Sequence, residues 1–172
     1  MNASGPSLLA STAFGNAAMN NTLIQTGEMS YTVALAERFA AEVPDTINFA
    51  FNSAELSDEA RSTLKKQADF IRQFPEVRFR VFGHTDKVGS NGYNQRLGLR
   101  RAQAAVAYLT SLGISRSRLE AVVSYGETRP IIATNEAEVR NRRTVTEVSG
   151  FVKSHPLVLN GKYAAIIWRE YV

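Results

Sequence analysis

Between Thr46 and Val148 the chain switches repeatedly between two hydrophobic periodicities, and this alternation constrains the fold more than any other feature. Four short runs, TINFAF (Thr46–Phe51), VRFRVF (Val77–Phe82), LEAVVSY (Leu119–Tyr125) and RTVTEV (Arg143–Val148), are rich in β-branched and aromatic residues, the composition of strands. Between the first two, Ala60, Leu64, Ala68, Ile71 and Phe74 recur at steps of three or four residues and stop at Pro75. That spacing predicts an amphipathic helix, entered through Ser57 with Asp58 and Glu59 in its first turn, where the helix dipole favours acids. Ala102, Ala105, Val106, Leu109 and Leu112 mark a second long helix, closed by Gly113. The predicted order is β-α-β-α-β-loop-β, an α/β (α+β) sandwich of one sheet and two principal helices. Strands joined across a long helix are expected to run parallel. The alternation of VRFRVF predicts a strand with one wet face.

The rest of the chain is organised differently. Residues 1–28 hold one charged residue, Glu28, among many small polar residues, which predicts a flexible leader. Ala34, Leu35 and Phe39 place a short helix over Tyr31–Ala41, before Pro44. The expected division is 1–45 for the leader and short helix, 46–149 for the domain, and 150–172 for an extension packed on it. Within that extension Tyr163–Trp168 is expected to form a strand or to pack on the domain.

Composition narrows the function. With 172 residues, 44% apolar and 21% charged, the chain has the balance of a globular domain rather than a disordered one. Its apolar runs reach six residues, as in Tyr163–Trp168, far short of the ~18 needed to span a bilayer. The N-terminus lacks the basic-then-apolar layout of a secretion signal. The absence of cysteine excludes disulfides and thiolate chemistry. Positive charge is concentrated: Asn94–Arg143 carries nine Arg against four Glu, an excess larger than the net +4 of the whole chain. Such a patch attracts anions unless it is a solvated helix face.

The most informative stretch is GHTDKVGSNGYNQRLGLRRA (Gly83–Ala102). His84, Thr85 and Asp86 fall at the end of a predicted strand, where α/β folds commonly place ligand groups. Asn94, Leu97 and Arg101 are three and four residues apart and share one helix face. Asp86 and Arg101 are therefore expected to flank one cleft, an acceptor facing a fork of donors, suited to a zwitterion. Spacing alone leaves a direct Asp86–Arg101 salt bridge equally open. VRNRR (Val139–Arg143) reads either as a wet edge guarding the sheet or as a second anion contact. The chain has no Gly-x-Ser-x-Gly elbow, no His-Glu-x-x-His and no phosphate-binding loop. Its two histidines, His84 and His155, lack zinc-ligand spacing. The reading is a non-enzymatic module without cofactor or metal. No nucleic-acid signature accompanies the basic balance.

These residues carry a resemblance. INFAFNSAEL (47–56), GHTDKVG (83–89), the run Tyr93–Val106, YLTSLGI (108–114), GETRPI (126–131) and NRRT (141–144) together resemble the OmpA-like C-terminal domain. That domain is shared by outer-membrane OmpA proteins, peptidoglycan-associated lipoproteins and flagellar stator MotB proteins. The resemblance covers about residues 46–149. It implies a mixed sheet covered by two main helices, and noncovalent binding of peptidoglycan through the diaminopimelate of its stem peptide. The family's ligand Asp falls on Asp86 and its ligand Arg on Arg101. Thr85, Asn94 and Leu97 match neighbouring motif positions, Arg142 lies in the Asn-Arg-Arg motif, and Asn52 matches the polar position after the first strand. Two departures, Ala50 where the family often has Asp and Gly98 where it usually has Ser, are expected to bear on binding strength; Gly98 also costs ~1 kcal/mol of helix propensity. The implied location is the periplasm, at the outer membrane and cell wall, with a signal or lipid anchor absent from this sequence. The alternative reading is an envelope interaction module whose protein partner is recruited by residues 1–45 and 150–172, with Tyr163, Trp168 and Tyr171 as anchors.

Overall fold

The computed structural model of the chain describes residue 31 and residues 33–149. The expectations for the leader and for Tyr163–Trp168 lie outside the described residues. A helix over 33–42, here α1, precedes strand β1 (Thr46–Asn48). Helix α2 (Asp58–Gln73), strand β2 (Arg78–His84), helix α3 (Asn91–Ser111), a 3-10 turn (Arg116–Arg118), strand β3 (Leu119–Gly126) and strand β4 (Arg143–Ser149) follow. The sheet order is β1-β4-β2-β3. β4 runs antiparallel to both β1 and β2, while β2 and β3 are parallel neighbours. The mixed α+β layout expected from the sequence is thus the observed one, with α1 as a third helix.

Local chemistry explains the boundaries. Ser57 caps α2, its hydroxyl oxygen accepting from the Ala60 N–H at 3.0 Å, and Ser90 caps α3 in the same way through the Tyr93 N–H at 3.1 Å. α3 ends at Leu112 and Gly113, where φ is +100°, a conformation glycine adopts without penalty. The helices cover one face of the sheet. Ile47, Phe79 and Val81 meet Leu64, Ala68 and Ile71 of α2 and Ala102, Ala105, Val106 and Leu109 of α3. α1 buries Leu35 and Phe39 in a smaller cluster with Phe70, Val77 and Val148.

Three expectations are corrected. TINFAF pairs as a strand only through Asn48. Beyond it, the Phe49 and Ala50 carbonyls accept from Arg142 and Arg101, and Asn52 takes a φ of +54°, so the chain turns out of the sheet. The outward face of VRFRVF is not wet: Arg80 is 4% exposed and paired with Glu147 at 3.0 Å. VRNRR guards no sheet edge, because the strand it leads into, β4, lies between β1 and β2.

A backbone contact fixes α3 on the sheet. A Cβ at Gly83 on β2 would lie 1.8 Å from the Gly98 carbonyl oxygen, and one at Gly98 would lie 2.3 Å from Ser124 Oγ. Gly98 therefore lets the helix approach β2 and β3 closely. A side chain there would have to displace Ser124, which donates to the Gln95 carbonyl at 2.7 Å and accepts from the Gly126 N–H at 3.1 Å.

Candidate functional site

β2 delivers Thr85 and Asp86 just past its carboxyl end, and α3 presents Asn94, Leu97 and Arg101 on one buried face beside them. The helical spacing read from the sequence holds: these three side chains are each at most 3% exposed. Thr85 is tied down locally. Its N–H donates to the Gly126 carbonyl at 2.8 Å and its hydroxyl to the Asp86 carbonyl at 2.8 Å. Asn94 donates from Nδ2 to the Val88 carbonyl at 3.0 Å and to Glu127 Oε1 at 2.8 Å, which fixes the loop after Asp86 against the loop after β3.

Asp86 does not salt-bridge Arg101. Its Oδ2 accepts from Arg142 Nη1 at 3.0 Å and from the Glu138 N–H at 3.2 Å, while Oδ1 accepts from the Val88 N–H at 3.3 Å. Both members of the Asp86–Arg142 pair are largely buried, with side-chain exposures of 5% and 13%. Arg142 also donates from Nε to the Phe49 carbonyl at 2.9 Å. It thus links the carboxylate to the turn after β1.

Arg101 is wholly buried and faces carbonyl oxygens. Nε donates to Ser53 at 2.8 Å, Nη1 to His84 at 3.0 Å and Nη2 to Ala50 at 3.2 Å. Its guanidinium carbon sits 5.2 Å from the centre of the Phe49 ring. Burial pushes its pKa down to about 10, the Asp86 carboxylate opposes that shift, and the Arg142 and Arg100 charges add to it. Arg101 therefore stays charged at neutral pH. A guanidinium has five N–H donors, so the three hydrogen bonds leave two without an acceptor among the described residues. Asp86 and Arg101 lie near enough for their charges to interact, and Arg142 is the arginine that pairs with the carboxylate.

Asn52 lies at the rim, where its side-chain oxygen accepts from the Tyr93 hydroxyl. Tyr93, Glu127 and Glu138 are members of the site that sequence reasoning passed over. Glu127 had a signal, since it sits in the GETRPI motif four residues after the Val123 that pairs with β2. The Glu138 contribution is a backbone N–H, which no residue identity announces. Among the described residues, no group of three or more His, Asp or Glu side chains could hold a metal ion. No described helix is long and apolar enough to cross a membrane.

A mixed four-stranded sheet with helices on one face, and a buried carboxylate held beside two arginines at the end of β2, define a small α+β domain with a buried charged cluster. The model of the OmpA family matches residues 48–144, and the chain belongs to that family. It is 36% identical over 126 residues to a peptidoglycan-associated lipoprotein of Mesorhizobium japonicum, covering 72% of this chain and 74% of that protein. The crystal structure of the peptidoglycan-associated lipoprotein from Burkholderia pseudomallei superposes with a TM-score of 0.58 at 27% identity, over 62% of this chain and 91% of that one. The cell wall anchor of the type VI secretion system (T6SS) from Pseudomonas aeruginosa matches with a TM-score of 0.51 at 27% identity, over 73% and 97%.

Proposed function

We propose that this chain is a noncovalent peptidoglycan-binding module that anchors an outer-membrane or envelope component to the cell wall from the periplasm. Its ligand is the diaminopimelate of the stem peptide, and it performs no catalysis. The observation that carries this reading is the arrangement at Asp86: one buried carboxylate paired with Arg142 at 3.0 Å, with the charged Arg101 beside it. The relatives named as peptidoglycan-associated lipoproteins and as a cell wall anchor support the same reading.

The far end of diaminopimelate carries an ammonium and a carboxylate on one carbon, a zwitterion. Entering between Asp86 and Arg142, it exchanges one ion pair for two. Its ammonium takes the Asp86 oxygens, and its carboxylate takes Arg142 together with the uncommitted N–H groups of Arg101. Neither protein charge is left buried without a partner, which keeps the exchange from incurring the cost of an orphaned charge. Asn94, Thr85 and Leu97 position the Asp86 loop and the helix face, and Asn52 borders the entrance. Each charge-assisted hydrogen bond contributes roughly 1.5–3 kcal/mol, and many copies facing a polymer add avidity.

Calorimetric titration with a diaminopimelate stem peptide, beside one carrying Lys in its place, tests the reading. Lys retains the ammonium but lacks the second carboxylate, so only the first peptide is expected to bind. Equal binding of both would remove the carboxylate from the mechanism, and binding of neither would overturn the function.

A further inference from the structure

The last loop, residues 127–142 between β3 and β4, contains no helix or strand and is longer than most connections in a compact domain. It nevertheless delivers two donors to one oxygen of Asp86. The Glu138 N–H lies 3.2 Å and Arg142 Nη1 lies 3.0 Å from Oδ2. A long irregular loop has no local reason to hold two groups in register with a single oxygen, so a restraint within it must fix them.

Asn141 supplies that restraint. Its side chain is 0% exposed. Oδ1 accepts from the Ile131 N–H at 2.7 Å and the Ile132 N–H at 2.9 Å, and Nδ2 donates to the Ile132 carbonyl at 2.9 Å. The amide thus pairs with the backbone at residue 132 and closes the chain from 132 to 141 into a ring that contains Glu138. The same segment makes two successive turns, with the Asn141 N–H donating to the Glu138 carbonyl and the Arg142 N–H to the Val139 carbonyl, each at 3.1 Å. The Val139 carbonyl also accepts from Asn48 Nδ2 at 3.0 Å, at the end of β1. Knot and turn together fix where residues 138 and 142 stand relative to Asp86.

The contact calls for an amide. It needs an acceptor for two N–H groups and a donor for a carbonyl on one short planar group. A carboxylate has no hydrogen to donate, and a serine hydroxyl is too short to serve both sides. All three partners are loop backbone, so losing the amide releases the loop rather than opening the core, and at a buried position the partners left behind stay unsatisfied.

We propose that Asn141 is a positioning residue of the ligand site: by knotting the last loop it holds Arg142 and the Glu138 N–H on Asp86 and thereby sets the affinity for the zwitterion. The ligand in this inference rests on the peptidoglycan reading; the knot does not. An untied loop spreads Arg142 over many positions, and apparent affinity falls with the fraction that remains competent to bind.

Two measurements on the full chain test it. The first needs no ligand and compares amide hydrogen exchange at Glu138 and at Val88, whose N–H donates to Asp86 Oδ1 at 3.3 Å from the loop after β2. In Asn141→Ser the Glu138 amide is expected to exchange about tenfold faster with Val88 unchanged, whereas a general loss of stability would speed both alike. The second is a double-mutant cycle with the diaminopimelate stem peptide. Asn141→Ser is expected to weaken binding about tenfold in the wild-type background and less than about twofold in Arg142→Gln, because the asparagine acts through that arginine. Asn141→Asp keeps both acceptor contacts and loses the donor, so it carries both measurements, with the same directions expected, if the serine variant does not fold. Unchanged exchange at Glu138, equal acceleration of both amides, or an Asn141 effect of the same size with and without Arg142 would each overturn the proposal. Failure of the wild-type chain to bind the stem peptide would overturn the peptidoglycan reading and the ligand half of the proposal, while a change in exchange confined to Glu138 would still establish the knot.

Discussion

Arg142 Nη1 lies 3.0 Å from Asp86 Oδ2, so the carboxylate at the centre of the site is held by the arginine of the last loop rather than by Arg101 on the long helix. The two residues are 56 positions apart, and their pairing joins the end of β2 to the entry into β4. The pair satisfies the two charges that the proposed zwitterion would take over.

Replacing Asp86 by Asn removes the charge but retains an oxygen for the Val88 or Glu138 N–H. Stem-peptide affinity is expected to fall at least tenfold, which corresponds to about 1.4 kcal/mol. The Arg142 side chain keeps some solvent access, so the loss of stability stays below the ~3–5 kcal/mol of a fully buried broken pair. Calorimetry and thermal unfolding on the same sample check both halves. Unchanged affinity in Asp86→Asn would remove this carboxylate from the mechanism.

Gly98 and Gly83 predict a packing effect of opposite sign to helix propensity. Ala at Gly98 gains ~1 kcal/mol of propensity but places a Cβ 2.3 Å from Ser124 Oγ and 3.2 Å from the Gly83 carbonyl oxygen. Overpacking of this kind costs about 1–3 kcal/mol, so Gly98→Ala is expected to be net destabilising. Gly83→Ala should be worse, because its Cβ meets backbone 1.8 Å away and α3 must lift from the sheet. The melting temperatures are expected to fall in the order wild type, Gly98→Ala, Gly83→Ala. A Ser124→Gly change should recover part of the Gly98→Ala loss, and a stabilised Gly98→Ala protein would contradict the close approach.

This pair also shows where sequence reading stops. The element order was legible because strand and helix periodicities are local, and Asn94, Leu97 and Arg101 were legible as one face because 3.6-residue spacing decides it. Gly98 reads from sequence only as a weak helix residue and a missing hydroxyl; its role depends on β2 and β3 passing beneath it. The same limit applies to Arg142. Its residue type indicated an anion contact, but its partner depends on β4 inserting between β1 and β2, a long-range pairing that no local pattern encodes. Arg80 misled in the other direction, since alternation predicts which face a side chain takes and not whether that face is covered.

His84 predicts an acid dependence of stability. Its folded pKa of about 4 lies below the ordinary 6.5, so between these values the unfolded chain binds the extra proton and the folded chain does not. The stabilisation is complete above about pH 6.5, declines as pH falls, and is exhausted near pH 4. At 1.36 kcal/mol per pKa unit the full loss is roughly 3 kcal/mol. Denaturant unfolding across that interval, compared with His84→Gln, isolates the histidine from the carboxylates. The variant should show a shallower decline over this window, and identical slopes would exclude His84 as the source.

Arg101 makes a last prediction that separates architecture from binding. Its three donors hold the carbonyls of Ala50, Ser53 and His84, so truncation to Ala strips a buried partner from each. Leaving a buried acceptor unsatisfied costs about 1–3 kcal/mol, and Arg101→Ala is therefore expected to lose several degrees of melting temperature as well as the ligand. Arg101→Lys keeps the charge but cannot reproduce the planar fork. It should recover part of the stability while leaving stem-peptide affinity at least tenfold below wild type, measured at a temperature where both proteins are folded. Should Arg101→Ala melt like wild type, the carbonyl clamp on the turn after β1 contributes nothing. Should Arg101→Lys bind like wild type, the guanidinium geometry is not what holds the ligand carboxylate, and Arg142 alone would carry that contact.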